Sequence, residues 1–178
     1  MALLLSVFVY VKFKLKLNGF ISPTGFVNFR NQQNNKVMSK SLVVNHSIKI
    51  DATPSRVWEV LTKPEYIRQW DLLPEDFGDY EIHPATIIER PGQRTLNVVE
   101  FDLNKRLSYQ LEVPEWKEQG VSHIGYNYSL TIDADGHTWL GIEIGDFAIL
   151  TESDTFYNES SNFGLTASQK IKELAEQK

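Results

Sequence analysis

The sequence predicts one α+β domain, in which a curved antiparallel sheet of about six or seven strands and two short helices surround a long C-terminal helix over a hydrophobic cavity. Short segments of alternating apolar and polar residues recur between turn residues, as is typical of half-buried antiparallel strands. A helical apolar stripe runs from about Ser153 to Glu176. This segment is the only predicted element long enough to cover the concave face of such a sheet.

The composition excludes several classes of protein. The chain has 178 residues, of which 42% are hydrophobic, and this suits one globular domain. It has no cysteine, which excludes disulfides, thiolate metal sites and a cysteine nucleophile, and we expect a cytoplasmic location. Residues 1–37 carry five basic and no acidic side chains, so the rest of the chain has 13 basic and 23 acidic residues, a net charge of −10. A domain this acidic repels phosphate backbones, so we expect no nucleic-acid partner.

Residues 1–37 differ in character from the domain that we assign to 38–178. Their apolar stretch, Ala2–Val11, is shorter than the ~18 residues that span a bilayer, and its positive charges follow it instead of preceding it. We therefore expect no membrane span and interpret 1–37 as an upstream extension from a misassigned start codon, without an ordered role. The alternative is a membrane-surface or export segment. For the domain we expect a monomer or weak dimer.

The domain begins with a strand and two short helices. Leu42–Ile50 alternates cleanly between apolar and polar residues, which predicts a half-buried strand. Thr53 is suited to cap the first helix, with Pro54 at its first position. Thr62 and Glu65 fit a capping box for the second helix. Two short helices in tandem would close one end of the sheet.

Hairpins and the long helix follow. The predicted strands are Tyr80–Arg90, Arg94–Asp102, Arg106–Val113, His123–Asp133 and a last strand through Leu140, Ile142 and Ile144 that ends near Phe147. Pro91-Gly92 and Asp135-Gly136 mark hairpin turns, and Pro114–Gly120 is expected to be a polar loop. Gly164 interrupts the helical stripe and is expected to kink the helix.

This order of elements resembles the helix-grip superfamily (SRPBCC, START-like), which includes birch-pollen-type allergens, steroid-transfer domains and polyketide cyclases. The resemblance is strongest to the branch named for the activator of the heat shock protein 90 ATPase, and it covers about residues 42–176. The motifs that carry it are residues 50–58, 61–65, Trp70, 98–102, 105–107 and Tyr109. The resemblance implies the fold, but not one function, because the same fold hosts binders, chaperone partners and enzymes.

The final helix departs from the pattern of this branch. Where the branch usually has a tryptophan, this chain has Phe163-Gly164-Leu165. We expect the substitution to leave more room beside the helix.

A cavity lined by aromatic side chains is the candidate binding site. A vacant pocket of roughly 300 Å³ would cost about 7 kcal/mol, so the cavity should be collapsed, hydrated or occupied. Aromatic and small residues of the predicted inner face are the candidates for ligand contact. The candidate ligand-binding residues are His46, Trp58, Trp70, Val98, Tyr109, Tyr126, Tyr128, Phe156, Phe163 and Ala167.

No catalytic or metal constellation is apparent, and no cofactor is expected. His46 falls on the apolar face of its strand, where it is either a satisfied interior histidine or a polar anchor or base for a ligand. His83 and His137 are expected at the surface, and Glu143 on the convex face. If Val98 faces inward, Glu100 does too, and a buried carboxylate there would be a functional candidate. The family resemblance implies, as an equal alternative, a structural pairing of Glu100 with Arg106 or Lys105.

Three functions remain open. The first is non-catalytic binding of a hydrophobic small molecule or lipid, as a carrier or sensor with a role in stress. The second, implied by the resemblance, is a co-chaperone that activates heat shock protein 90. Such co-chaperones recruit the chaperone through an additional N-terminal domain, and residues 1–37 are too short and apolar to supply one. The third is a cyclase- or hydrolase-type enzyme that uses the same cavity.

Overall fold

A computed structural model describes residues 41–71, 81–90 and 94–177 of the chain. The predicted extension, residues 1–37, lies outside the described residues. The elements are β1 (Val44–Ile50), α1 (Pro54–Thr62), α2 (Pro64–Trp70), β2 (Ile87–Arg90), β3 (Arg94–Asp102), β4 (Arg106–Glu112), α3 (Pro114–Glu118), β5 (Gly125–Ile132), β6 (Thr138–Gly145) and α4 (Ser153–Glu176).

The strands form one antiparallel sheet, as predicted. Its order is β1-β6-β5-β4-β3-β2, so strands β2 to β6 form consecutive hairpins and β1 closes the far side against β6. The pairing of Val44 with Ile144 and of Ile50 with Thr138 fixes the register at that side. The described residues thus confirm the α+β helix-grip fold.

One face of the sheet is buried and carries the apolar residues of the predicted alternation. The buried side chains of this concave face include Val44, Ile50, Ile88, Leu96, Val98, Leu107, Tyr109, Leu111, Tyr126, Tyr128, Leu130, Leu140, Ile142 and Ile144. Helix α4 packs across this face with the stripe Ser160, Phe163, Ala167, Ile171 and Leu174. The core therefore lies between the sheet and α4.

The predicted N-cap is confirmed for α1, and the one predicted for α2 is wrong. Thr53 caps α1, since its hydroxyl accepts the backbone N–H of Arg56, and Pro54 occupies the first helical position. Thr62 does not cap α2. It is the last residue of α1, and its buried hydroxyl donates to the carbonyl of Trp58 at 2.8 Å. Lys63 takes the cap position of α2 without a side-chain bond.

Several element boundaries differ from the prediction. The strand expected over Tyr80–Arg90 begins only at Ile87, and the loop expected over Pro114–Gly120 contains α3, where Pro114 suits the first helical position. The last strand ends at Gly145, two residues before Phe147. Ile132 ends β5 and is 61% exposed although it follows the inward alternation.

A β-bulge in β3 corrects the expected orientation of Glu100. Val98 pairs with Tyr109 and Glu100 pairs with Ser108, so Val99 is an extra residue on β3. The bulge reverses the alternation, and Glu100 lies on the convex face while Val98 is buried. There Glu100 accepts a hydrogen bond from the Ser108 hydroxyl at 3.0 Å and lies 3.6 Å from the guanidinium of Arg106.

Helix α4 is continuous from Ser153 to Glu176, through Gly164. Glycine is needed at this position because a larger residue would not fit against the neighbouring strand. A Cβ atom at Gly164 would come within 2.5 Å of the ring carbon Cδ2 of His46. The room that the Phe163-Gly164-Leu165 sequence was expected to leave is therefore filled by the His46 ring.

Within the three described segments, no helix is both long enough and apolar enough to cross a bilayer.

Candidate functional site

A small hollow remains between the sheet, α2 and α4. Its volume is about 30 Å³, and the residues that line it are Ile67, Trp70, Asp71, Ile88, Arg90, Leu96, Tyr109, Tyr126, Tyr128 and Phe163. A cavity needs roughly 10–15 Å³ to hold one water molecule. The hollow therefore has the size of about one or two waters, and the interior is far closer to the collapsed alternative than to a vacant pocket of hundreds of cubic ångströms.

Contacts between aromatic rings close the hollow. The ring centroid of Tyr128 lies 5.9 Å from that of Trp70 and 6.2 Å from that of Tyr109, both edge-to-face. The Phe163 ring, carried by α4, lies 5.9 Å from Tyr126 and 6.5 Å from Trp70. These spacings are those of favourable aromatic pairs. The indole N–H of Trp70 donates to the carbonyl of Val60 at 2.9 Å, which fixes the indole orientation.

An ion pair forms the polar end of the hollow. Asp71, at the C-cap of α2, accepts a hydrogen bond from the guanidinium of Arg90, the last residue of β2. Each side chain is only 11% exposed. Burial raises the pKa of Asp71, and the charge and hydrogen bond of Arg90 oppose this rise. A carboxylate and a guanidinium thus meet in a nearly dry environment, beside aromatic rings.

The tyrosines of the hollow are held in their neutral form. Burial is the main cause that raises the pKa of Tyr126 and of Tyr128, and the nearby charge of Asp71 adds to it. Neutral phenols can donate and accept hydrogen bonds. The lining of the hollow therefore combines neutral phenols, a carboxylate and a guanidinium with aromatic walls.

Five of the ten predicted binding residues line this hollow. They are Trp70, Tyr109, Tyr126, Tyr128 and Phe163.

The remaining predicted residues lie elsewhere in the core. Trp58 packs edge-to-face on Phe101, with ring centroids 5.0 Å apart. Val98 is buried opposite Tyr109, and Ala167 is fully buried under α4. Phe156 packs on Trp116 at the other end of the sheet, beside a second hollow of about 10 Å³.

His46 is engaged by the helix above it. Its Nε2 lies 2.9 Å from the backbone carbonyl oxygen of Ser161, and its ring fits against Gly164. The residue is half-buried and does not line the hollow. This is the geometry of a satisfied interior histidine.

Sequence reasoning missed the polar end of the site. Asp71 and Arg90 are 19 residues apart, and they meet because the end of α2 and the end of β2 lie beside the same hollow. Asp71 directly follows Trp70, a predicted binding residue at the end of a helix. This adjacency was a weak signal that Asp71 lies near the same hollow. Nothing local marks Arg90 as buried.

The convex face carries the predicted exposed polar residues. Glu143 is exposed there and accepts from the side-chain amide of Asn127 at 3.3 Å. A polar groove of about 540 Å³ crosses this face, and Asn45, Ser47, Glu100, Arg106, Asn127, Ser129, Gly141 and Glu143 are among the residues that line it.

One cluster of possible metal ligands occurs in the β5–β6 turn. Ligand atoms of Asp133, Asp135 and His137 lie within 4.8 Å of one another. However, Oδ1 of Asp133 accepts the backbone N–H groups of Asp135 and His137, and Oδ2 accepts the indole N–H of Trp139. These bonds close the hairpin and occupy both oxygens of Asp133. Of the predicted surface histidines, His83 is exposed, and His137 is half-buried in this cluster.

Comparisons with solved structures support the fold. The chain is similar to a protein from Mesorhizobium loti (20% identity, 74% of this chain and 95% of that chain covered, TM-score 0.57). It is also similar to the Aha1 dimer from Colwellia psychrerythraea (17% identity, 75% and 96% covered, TM-score 0.59). A third likeness is to a protein from Bacillus halodurans (13% identity, 75% and 96% covered, TM-score 0.55). At these identities the likeness concerns the fold.

A comparison with curated proteins found no match. A family profile, in contrast, matches residues 51–140, just over half of the chain, and its description is "Activator of Hsp90 ATPase homolog 1-like protein". The matched region runs from the end of β1 into β6 and includes Asp71 and Arg90. The chain belongs to the family of Activator of Hsp90 ATPase homolog 1-like proteins.

Proposed function

We propose that this protein binds a small hydrophobic molecule, without catalysis, in the hollow between the sheet and α4. The observation that carries the proposal is the combination at this one place of five aromatic side chains and a buried ion pair. Protein interiors seldom bury a carboxylate and a guanidinium, because desolvation costs several kcal/mol per ion. Ligand sites, in contrast, combine apolar walls with a few polar groups that orient the ligand.

The small hollow must widen to admit such a molecule. At ~24 cal/mol per Å³, an empty volume of about 30 Å³ costs only about 0.7 kcal/mol. The unliganded protein is therefore stable in its collapsed form. Phe163 is the side chain from α4 that reaches the hollow, so a change of its rotamer would enlarge the site. A ligand then selects the open state through its higher affinity for that state.

Native mass spectrometry of freshly purified protein tests the proposal. We expect a fraction of the protein to carry a small additional mass that gentle denaturation releases. The Leu96→Phe variant adds a ring inside the hollow and should lose this mass. Its matched control is Ile87→Phe, a substitution on β2 at a side chain that is 64% exposed, and it should retain the mass. Equal occupancy in both variants would place the ligand elsewhere and overturn the proposal.

The non-catalytic part of the proposal rests on the position of His46. It contacts a backbone carbonyl and does not line the hollow, so it is placed to support α4 instead of to abstract a proton from a ligand. Turnover of a co-purified compound that disappears in a His46→Ala variant would show that the protein is an enzyme.

Co-chaperone activity is the second candidate. The family description and the small volume of the hollow favour it, and the polar groove on the convex face is a surface that a protein partner could use. A pull-down with heat shock protein 90 tests it. Retention that Glu143→Lys abolishes, but that the control Glu118→Lys on α3 leaves unchanged, would support this function at the expense of ligand binding.

A further inference from the structure

The hollow of about 30 Å³, called the first hollow here, has a smaller neighbour in the same core. The second hollow has a volume of about 10 Å³. Leu111 and Ile124 line it from the sheet, and Phe156 and Ser160 line it from α4. Tyr126 lines both hollows. The two spaces therefore share a wall.

The two hollows follow each other along the sheet and along α4. On the sheet, Ile124 lines the second hollow and Tyr128 the first, with Tyr126 between them. On α4, Ser160 lines the second hollow, and Phe163, about one turn later, lines the first. Four residues of extended chain span about 13 Å. The hollows thus lie in a row of roughly that length, between one strand and one helix.

A contact between two rings lies where the hollows adjoin. The rings of Tyr126 and Phe163 meet edge-to-face, with their centroids 5.9 Å apart. On the buried stripe of α4, Phe163 stands between two small residues, Ser160 and Ala167. A change of the Phe163 rotamer, which widens the first hollow, therefore also removes this contact.

We propose that the two hollows are the ends of one channel and that the ligand is elongated, with an unbranched apolar chain that spans both. This inference rests on the proposed binding function and names the chemical class of its ligand. Displacement of the Phe163 ring leaves a passage about as wide as one ring, and a slender chain fits such a passage better than a branched or fused-ring body. At the far end the rings of Trp116 and Phe156, 5.3 Å apart, offer apolar walls.

The cost of opening favours a long ligand over a short one. The free energy needed to displace the Phe163 ring is the same for both. Each further buried methylene group, in contrast, raises the affinity about fourfold. A chain that reaches the second hollow therefore offsets the cost of opening more fully than a compact molecule that stays in the first.

The test compares 1-butanol with 1-octanol, which are both uncharged and differ only in chain length. Each is titrated into the full chain, and NMR follows the indole N–H signals of Trp70, in the first hollow, and Trp116, in the second. We expect one molecule of 1-octanol to shift both signals with a single dissociation constant. The two ends of its chain should show nuclear Overhauser effects to the two different indole rings.

Ser160→Leu fills the second hollow and should lower the affinity for 1-octanol at least about tenfold, because more than one methylene group loses its place there. The affinity for 1-butanol should stay the same. The matched control is Asn162→Leu, which puts the same side chain at an exposed position of α4 and should leave both affinities unchanged. If Ser160→Leu does not fold, the contacts of 1-octanol in the wild-type protein decide the question alone.

The outcomes separate this inference from the function on which it rests. If 1-octanol contacts Trp70 but not Trp116, and Ser160→Leu does not weaken it, the elongated ligand is wrong and binding in the first hollow stands. If neither alcohol contacts Trp70, both the inference and the proposed function are overturned.

Discussion

At the residue scale, Gly164 shows how a single side chain decides the packing of α4. Glycine in the interior of a helix costs about 1 kcal/mol relative to alanine. The chain tolerates this cost because the His46 ring lies against the helix at this point, 2.5 Å from where a Cβ atom would be. The hydrogen bond between His46 and the Ser161 carbonyl holds the ring there.

Gly164→Ala is therefore expected to destabilise the protein, although alanine is the better helix former. Overpacking in a core costs typically ~1–3 kcal/mol, which exceeds the propensity gain. In a His46→Ala background the clash is removed, and the same substitution should stabilise the protein by about 1 kcal/mol. Urea unfolding of the four proteins measures both effects. The same sign in both backgrounds would show that His46 is not the obstacle.

Asp133 gives a prediction about pH. The hydrogen bond from the Trp139 indole and the backbone N–H groups of His137 and Asp135 lower the pKa of Asp133 to about 2. An unfolded chain has an aspartate pKa of about 3.9. Since the folded pKa is the lower one, the carboxylate contributes stability that is fully present above about pH 4 and is lost as the pH falls towards 2.

Wild-type and Asp133→Asn proteins compared by urea unfolding should therefore differ most above about pH 4 and converge near pH 2. An NMR titration of the Asp133 carboxyl should give a midpoint near 2. A constant difference in the free energy of unfolding between the two proteins from pH 6 to pH 2 would show that the charge of the Asp133 carboxylate does not stabilise the hairpin.

At the element scale, polar contacts fix the C-terminal end of α4 to both neighbours. The guanidinium of Arg56 on α1 donates to the carbonyl of Leu174 at 3.0 Å and to the hydroxyl of Tyr66 at 2.9 Å. Lys172 donates to the carbonyl of Lys49, at the end of β1, at 2.7 Å. Carbonyls in the last turn of a helix lack partners within the helix, so the bond from Arg56 to Leu174 also satisfies an otherwise open acceptor.

Arg56→Gln should lower the free energy of unfolding by about 1–2 kcal/mol, because it removes charged hydrogen bonds and leaves the Leu174 carbonyl without this donor. Lys105→Gln, at a side chain that is 72% exposed, is the control and should change stability by less than ~0.5 kcal/mol. Guanidinium unfolding followed by tryptophan fluorescence gives both values. Equal effects would mean that α4 is held by its apolar stripe alone.

The elements also show what the sequence could predict. Alternation identified β1, β3, β4, β5 and β6, and the helical stripe gave α4 with its observed bounds, Ser153–Glu176. The bulge at Val99 could not be predicted, because Val98 and Val99 are equally apolar and either could face inward. β2 was predicted too long, since among the described residues the strand begins only at Ile87.

The candidate site was predictable on its apolar side only. Tyr126 and Tyr128 follow from strand alternation and Phe163 from helical periodicity, and these patterns reflect burial. The ion pair of Asp71 and Arg90 breaks the rule that charged residues are exposed, and it joins two residues that are 19 positions apart in the chain. A pattern that records only apolar positions cannot reveal such a tertiary pairing.

At the scale of the whole molecule, the interior is nearly full. The aromatic side chains of sheet and helix leave about 30 Å³ at the ion-pair end and about 10 Å³ at the other. If the protein binds a ligand as proposed, its affinity is reduced by the free energy needed to displace the side chains that fill the site. The Asp71–Arg90 ion pair, in contrast, is already in place.

The central claim is that the hollow between the sheet and α4 takes up a small hydrophobic molecule. A crystal structure of the protein as purified tests it most directly. We predict electron density for a bound molecule that reaches the Asp71–Arg90 pair, with the Phe163 ring displaced from its place between Trp70 and Tyr126. A Phe163 ring that keeps its place, with no more than water in the hollow, would contradict the claim.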